Sequence, residues 1–276
     1  MKKIDNLYTI FGASGFFGTN LYKALKEKKK KIFIPKKNEY SFKKNLGNVI
    51  YCIGTSESIR NPKNALMANL EVLSKILINN KFKTFTYLSS IRVYSKSSKT
   101  KESDKIIFDH NEKGVYFKSL KLAAESLCLQ MNSPKIKIIR LTNVFGDYFS
   151  DQIYLLPSLL RQSITKKKIN ITINKSSRKN YLNINEAIDV ILKIINRSKH
   201  QIYNVASDKQ ISLGQISKII QKLTNCKITY KNSNIVFNEP KINIQRIKKE
   251  FNFKPKVKFE NEMHKIIKNY KRPKHA

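Results

Sequence analysis

The sequence predicts an α/β fold in which helices wrap both faces of a parallel sheet. Three observations carry that reading. Short apolar runs rich in β-branched and aromatic residues alternate with longer amphipathic stretches through the first half of the 276 residues. The joins between them are short, as in repeated β-α units. Gly12, Gly15 and Gly18, spaced GxxGxxG, fall directly between the first apolar run and the first amphipathic stretch.

LYTIF (7–11) is predicted as a strand and FFGTNLYKALKEK (16–28) as a helix. KIFIP (31–35) is a short strand closed by proline, and NVIYCIG (48–54) is a buried one. The stretch 61–80 is a long helix with proline near its start, where a missing N–H does no harm. A strand at 85–90, a helix at 115–132 and a strand at 136–141 follow. After about residue 147 the rhythm loosens: helix 151–165, strand 168–173, helix 185–198 and strand 202–206. Ser212 and Gln215 form a capping-box pattern that opens another helix. A strand at 227–230 and a helix at 259–271 finish the chain. We divide it into a dinucleotide-binding unit, 1–147, and a mainly substrate-binding lobe, 148–276, interleaved with the sheet.

Composition narrows the function. The net charge of +36 comes from 55 Lys and Arg against 19 Asp and Glu. The lysines are scattered through nearly every segment and do not alternate with aromatics as on a base-stacking platform. A biased surface explains the charge better than specific nucleic-acid binding, and such a surface would still attract a diphosphate-bearing substrate. No apolar run has the ~18 residues of a membrane span. Asp5 interrupts the only signal-peptide-like stretch, so a cytoplasmic location is expected. Cys52, Cys128 and Cys226 lie far apart without CxxC spacing, which indicates neither a disulfide framework nor a metal site.

The glycine triplet has a specific physical use. Its first members allow a tight turn and close backbone approach to a pyrophosphate, which the next helix's free N–H groups attract. The last lets helix and strand pack closely, completing the signature of a Rossmann-type, doubly wound dinucleotide fold. An NAD-preferring site places an acid at the end of the second strand, about 20 residues on. Here IFIPKKN offers Lys36 and Lys37 instead, cations that suit a 2′-phosphate, so NADP(H) is favoured over NAD(H).

Several segments together resemble the extended short-chain dehydrogenase/reductase family, in its NAD-dependent epimerase/dehydratase group. They are GASGFFG (12–18), VIYCIG (49–54), Asn69, YLSSIRVYS (87–95), KLAAE (121–125), RLTNVFG (140–146) and NYLNINEAIDVI (180–191), spread over roughly 7–270. The resemblance implies cofactor contacts from Ser14, Phe16 and Phe17 in the glycine loop. It implies further contacts from Cys52, Ile53, Gly54, Asn69 and Lys121. Ser90 matches the serine that hydrogen-bonds the substrate's reacting oxygen, and Lys121 the lysine that holds the nicotinamide ribose and acidifies a tyrosine. Asn143 matches an asparagine that contacts the sugar or its diphosphate, while Thr55, Ser56 and Arg178 are further substrate candidates.

The implied activity is hydride transfer between nicotinamide and a nucleotide-linked sugar. The abbreviated region after the second strand and the basic pair at 36–37 tilt it to an NADP(H)-dependent 4-keto-sugar reductase serving surface polysaccharide. An epimerase is the runner-up. A dehydratase carries an acid pair beside the serine, where this chain has Ile91 and Arg92. Homodimerisation through the helices at 63–79 and 115–132 is expected by analogy.

One residue breaks the pattern. The tyrosine expected four positions before Lys121 is Phe117, and a tyrosine stands one residue early at Tyr116. On a regular helix Tyr116 would point about 100° away from the lysine's face. A π-bulge at the start of this helix would bring it back, and on that expectation Tyr116 is the catalytic acid–base. Without the bulge, a non-catalytic dinucleotide-binding module is the alternative.

Overall fold

The structure, a computed structural model, describes residues 6–55, 57–146, 154–231 and 234–271. Six strands form a parallel sheet: β1 (Leu7–Phe11), β2 (Lys31–Phe33), β3 (Asn48–Tyr51), β4 (Thr84–Ser90), β5 (Ile136–Leu141) and β9 (Ile202–Val205). Their order is β2-β1-β3-β4-β5-β9, which reverses direction at β1/β3. Such a reversal opens a crevice at the strands' C-terminal ends, where doubly wound folds bind ligands.

Alternation along the strands fills two cores. Ile10, Ile50 and Ile139 face α1 (Phe16–Glu27) and a later helix, α5 (Ile184–Arg197). Val49, Tyr51, Phe85 and Ile138 face α2 (62–79) and α3 (Val115–Gln130). α2 is built in three segments, an α-helical Pro62–Leu66, a π turn at Met67–Glu71 and an α-helical Val72–Asn79. Asn61 caps it by accepting from the Asn64 N–H at 3.0 Å.

A second unit covers the crevice. β6 (Asn143–Phe145) pairs in parallel with β8 (Arg178–Asn183), and β10 (Gln210–Ser212) closes that sheet antiparallel. β7 (Lys168–Ile171) and β11 (Lys227–Tyr230) form a separate parallel pair. With α4 (Leu155–Thr165), α6 (Leu213–Thr224) and α8 (Phe259–Lys271) they enclose a third core around Phe145, Leu159 and Ile216. Ser212 and Gln215 make the capping box reciprocally at the start of α6. α7 (Gln245–Phe251) packs back on the main sheet's first core through Ile247 and Phe251.

The sequence reading differs from this architecture in places. β2 and β3 stop at Phe33 and Tyr51, short of the expected ends at 35 and 54. The short strands β6, β8 and β10 and the helix α7 did not register as elements. The lobe is interleaved with the sheet: β6 precedes residue 147 yet belongs to the lobe, while α5, β9 and α7 follow 148 yet pack with the main sheet. The 147/148 boundary itself lies outside the described residues.

Candidate active site

The glycine loop leads from β1 into α1. Gly12 has φ +86°, and a Cβ there would stand 2.9 Å from the backbone of Cys52 and Ile53. A Cβ on Gly18 would stand 2.1 Å from the Gly12 carbonyl oxygen, so helix and loop could not meet. A Cβ on Gly15 would only touch that oxygen at 3.5 Å; its bareness leaves room for a ligand rather than for the fold. Gly15 is the N-cap of α1 and supplies no side-chain acceptor, and no acid lies in the first turn. Ser14 and Gly15 are exposed at the loop tip. The Phe17 side chain is buried in the first core, so its expected cofactor contact would be made by its backbone.

Beyond β3, Cys52, Ile53 and Gly54 form the floor of the crevice. The Cys52 N–H donates to the Phe11 carbonyl at 2.8 Å, and burial pushes its thiol pKa well up, so this sulfur is chemically quiet. A Cβ built on Gly54 would stand 3.1 Å from Asn69 Oδ1 and 3.6 Å from Lys121 Nζ, which brings all three together. Asn69 sits in the π turn, fully buried, with its amide donating to the Thr55 and Ala65 carbonyls at 2.9 Å each. Its Oδ1 has no partner among the described residues. Thr55 spends its hydroxyl accepting from the Glu57 N–H at 3.1 Å. Ser56 lies outside the described residues.

Lys121 is buried, and its ammonium donates to the Leu88 carbonyl at 2.9 Å. The ring centroids of Tyr87 and Phe117 lie 5.0 and 5.7 Å from Nζ. Burial lowers its pKa to about 8, against the weaker upward pull of Glu125. Glu125, four residues on, is engaged elsewhere: it accepts from Ser89 Oγ at 2.5 Å and is held by Arg140 at 2.7 Å.

Ser90 ends β4 at the crevice. Its Oγ accepts from the Arg92 N–H at 3.2 Å, which leaves the hydroxyl hydrogen free to donate.

The π-bulge expected in α3 is absent. The helix is regular from Val115 onward, and the π turn belongs to α2. Tyr116 is 36% exposed, and its hydroxyl donates to the Pro62 carbonyl on α2 at 3.2 Å. The structure therefore does not bring Tyr116 to Lys121; the buried Phe117 ring occupies the lysine's face. The other phenol beside Lys121, Tyr87, is sealed in the second core, where burial raises its pKa far above 10.

On the lobe side, Asn143 Nδ2 donates to the Asn180 carbonyl at 2.9 Å and to Glu239 at 2.9 and 3.0 Å. Its Oδ1 is the group left to offer a ligand. Glu239 also accepts from the Asn180 N–H at 2.8 Å and from Lys179 Nζ at 3.0 Å. Sequence reasoning missed Glu239. It lies 96 residues from Asn143, and no local spacing announces it. Arg178 is exposed at the start of β8. Lys36 and Lys37 are exposed after β2. The Glu39 carboxylate accepts from the Lys36 N–H at 3.1 Å, so an acid stands nearer this turn than the strand end suggests.

The model of the NAD dependent epimerase/dehydratase family matches residues 49–206, more than half the chain. The chain belongs to this family. No curated protein matches it significantly. Solved structures share the fold at low identity. RMD from Pseudomonas aeruginosa, complexed with NADPH, is 20% identical with a TM-score of 0.77, over 96% of this chain and 98% of that one. MoeE5, in complex with UDP-glucose and NAD, is 14% identical with a TM-score of 0.81 over 96% and 98%. UDP-glucose 4-epimerase from Thermotoga maritima, with UDP-glucose, is 13% identical with a TM-score of 0.77 over 96% and 98%.

The residues of this family member fit a nicotinamide dinucleotide. The bare Gly15, the uncapped start of α1, and the unsatisfied Asn69 Oδ1 next to a buried ammonium at Gly54 are the features such a ligand would complete. No helix of the described residues is long and apolar enough to cross a membrane.

Proposed function

We propose that this chain is an NAD(P)(H)-dependent oxidoreductase that reduces a keto group, the 4-keto group by preference, on a nucleotide-linked sugar. One observation carries the reading: Lys121 is held buried beside Gly54 and Asn69 with no carboxylate hydrogen-bonded to it among the described residues. A buried ammonium with a single carbonyl partner is unfavourable for folding, and such strain gathers at functional sites.

The bound cofactor supplies the hydride. Lys121 Nζ binds the nicotinamide ribose and, with its pKa near 8, is acidic enough to release a proton near neutral pH. Ser90 Oγ donates to the reacting oxygen, since it already accepts from Arg92. Phe117 excludes water from the ammonium's face. Asn143 Oδ1 and Arg178 receive the sugar and its diphosphate. Lys36 and Lys37 favour NADP(H). A role in surface-polysaccharide assembly accords with the UDP-glucose bound by MoeE5 and by the Thermotoga maritima epimerase. Exposed Leu66 and Ile78 on α2 and Leu129 on α3 support a homodimer through these helices.

The second reading, a dinucleotide-binding module without chemistry, is favoured by Phe117 standing where a phenol is needed. Thermal stabilisation by NADPH and by NADH, followed by cofactor consumption with a panel of keto-sugar nucleotides, separates the two. Stabilisation without consumption supports the module, and no stabilisation by either cofactor rejects both.

A further inference from the structure

Arg92 follows Ser90 in a 3-10 turn, Ile91–Tyr94, whose other side chains are buried. The backbone at this point is therefore fixed. The guanidinium carbon lies 4.5 Å from the centroid of the Phe117 ring. Room for it comes from Gly114, where a Cβ would stand 3.0 Å from Arg92 Nη2. Half-buried in this slot, the guanidinium makes no hydrogen bond and no ion pair among the described residues. Arg140, by contrast, spends Nε and both terminal nitrogens on Glu125 and Tyr94. The carboxylates whose charge acts on Arg92 are Glu239, already occupied by Asn143, Lys179 and Asn180, and Glu112, already paired with Lys118.

A planar fork of N–H donors thus stands on the Phe117 ring, two residues from Ser90, with no counter-charge hydrogen-bonded to it among the described residues. Resting on the reading of the crevice above, we propose that Arg92 recognises a carboxylate on the sugar ring, so that the substrate is a nucleotide-linked sugar acid. A guanidinium pairs with a carboxylate through two parallel hydrogen bonds, and stacking on an aromatic face fixes its plane for that purpose. Location separates this anion from the diphosphate. Arg92 lies two residues from Ser90 and shares the Phe117 ring with Lys121, whereas Arg178 stands on the lobe. A neutral hexose would close the crevice over an uncompensated cation, which selects against it.

The test compares matched pairs of ligands by calorimetry with the preferred cofactor present: UDP-glucuronate with UDP-glucose, dTDP-glucuronate with dTDP-glucose, and GDP-mannuronate with GDP-mannose. For at least one base the acid is expected to bind about tenfold tighter or better. Arg92→Gln is expected to erase that preference and leave the neutral partner within about twofold, with Arg92→Lys intermediate because it keeps charge without the fork. Melting curves of both variants establish that they fold. Equal affinities in the wild type overturn the proposal. So does Arg92→Gln weakening both partners alike, which would make Arg92 a diphosphate ligand. Loss of kcat with the acid preference intact overturns it as well, leaving a purely electrostatic role at the reacting oxygen. If NADPH stabilises the protein but no nucleotide sugar binds, the nucleotide-sugar reading fails along with it.

Discussion

Lys118 and Lys121 lie one turn apart on α3, both buried, and their surroundings are opposite. Lys118 is 2% exposed and gives its three hydrogens to Ser95 Oγ, the Ile107 carbonyl and the Glu112 carboxylate, at 3.1, 2.6 and 3.3 Å. Lys121 is 6% exposed and has one carbonyl and two ring faces. The first pins the loop between the 3-10 turn and α3 and is complete. The second is incomplete, and a ligand would finish it. Burial alone does not mark a functional lysine; burial with its hydrogen bonds incomplete does.

The largest effect expected from this pair is structural. Lys118→Met leaves Glu112 and the Ile107 carbonyl without their cation and should destabilise the fold by about 3–5 kcal/mol, read from urea unfolding at pH 7. Lys121→Met should act in the opposite direction. A folded pKa near 8 against an unfolded one near 10.5 means that below pH 8 both states are charged and the full penalty applies. Stability recovers as pH rises through 8–10.5, where only the unfolded chain still holds the proton. Removing the lysine should therefore raise stability at pH 7 by about 3 kcal/mol and flatten that rise, while abolishing the cofactor-induced rise in Tm. A variant that is less stable at pH 7 would show that Lys121 is a structural group like its neighbour.

Phe117→Tyr sharpens the same contrast by adding a phenol on the Lys121 face. It should accelerate hydride transfer by roughly tenfold or more, because a positioned acid contributes about 10²–10⁴-fold where one is lacking. An unchanged single-turnover rate would place that edge of the ring out of the substrate's reach. Tyr116→Phe should have the smallest effect. It removes one exposed hydrogen bond to α2, about 0.5–1 kcal/mol at most, and should leave turnover within about twofold. Loss of turnover would restore Tyr116 as the proton donor.

What the sequence revealed follows from how local each signal is. The glycine loop is one strand–turn–helix unit, so its spacing carries its geometry. Lys121 and Ser90 sit in contiguous motifs on regular elements, and their placement at the crevice follows from the sheet. The extra helical residue is different. A π turn at Met67–Glu71 rather than at Tyr116 depends on how α2 meets Gly54 and Thr55, which no pattern within either helix encodes. Nothing local in the sequence marks Lys118 as buried, because its three acceptors are scattered from residue 95 to 112. The grip of Glu239 on Asn143 needs two strands of the lobe in place first.

The π turn also makes α2 one residue longer than its span requires. Deleting a single residue between Met67 and Glu71 would let the ladder of carbonyls and amides close at ordinary helical pitch, so the chain should tolerate the loss. The first turn would swing by about 100° relative to the remainder. Pro62 would move away from α3, and the side chain opposite Gly54 would no longer be asparagine. A shortened protein that folds normally yet loses its hold on dinucleotide would show that this surplus residue serves the pocket and not the scaffold.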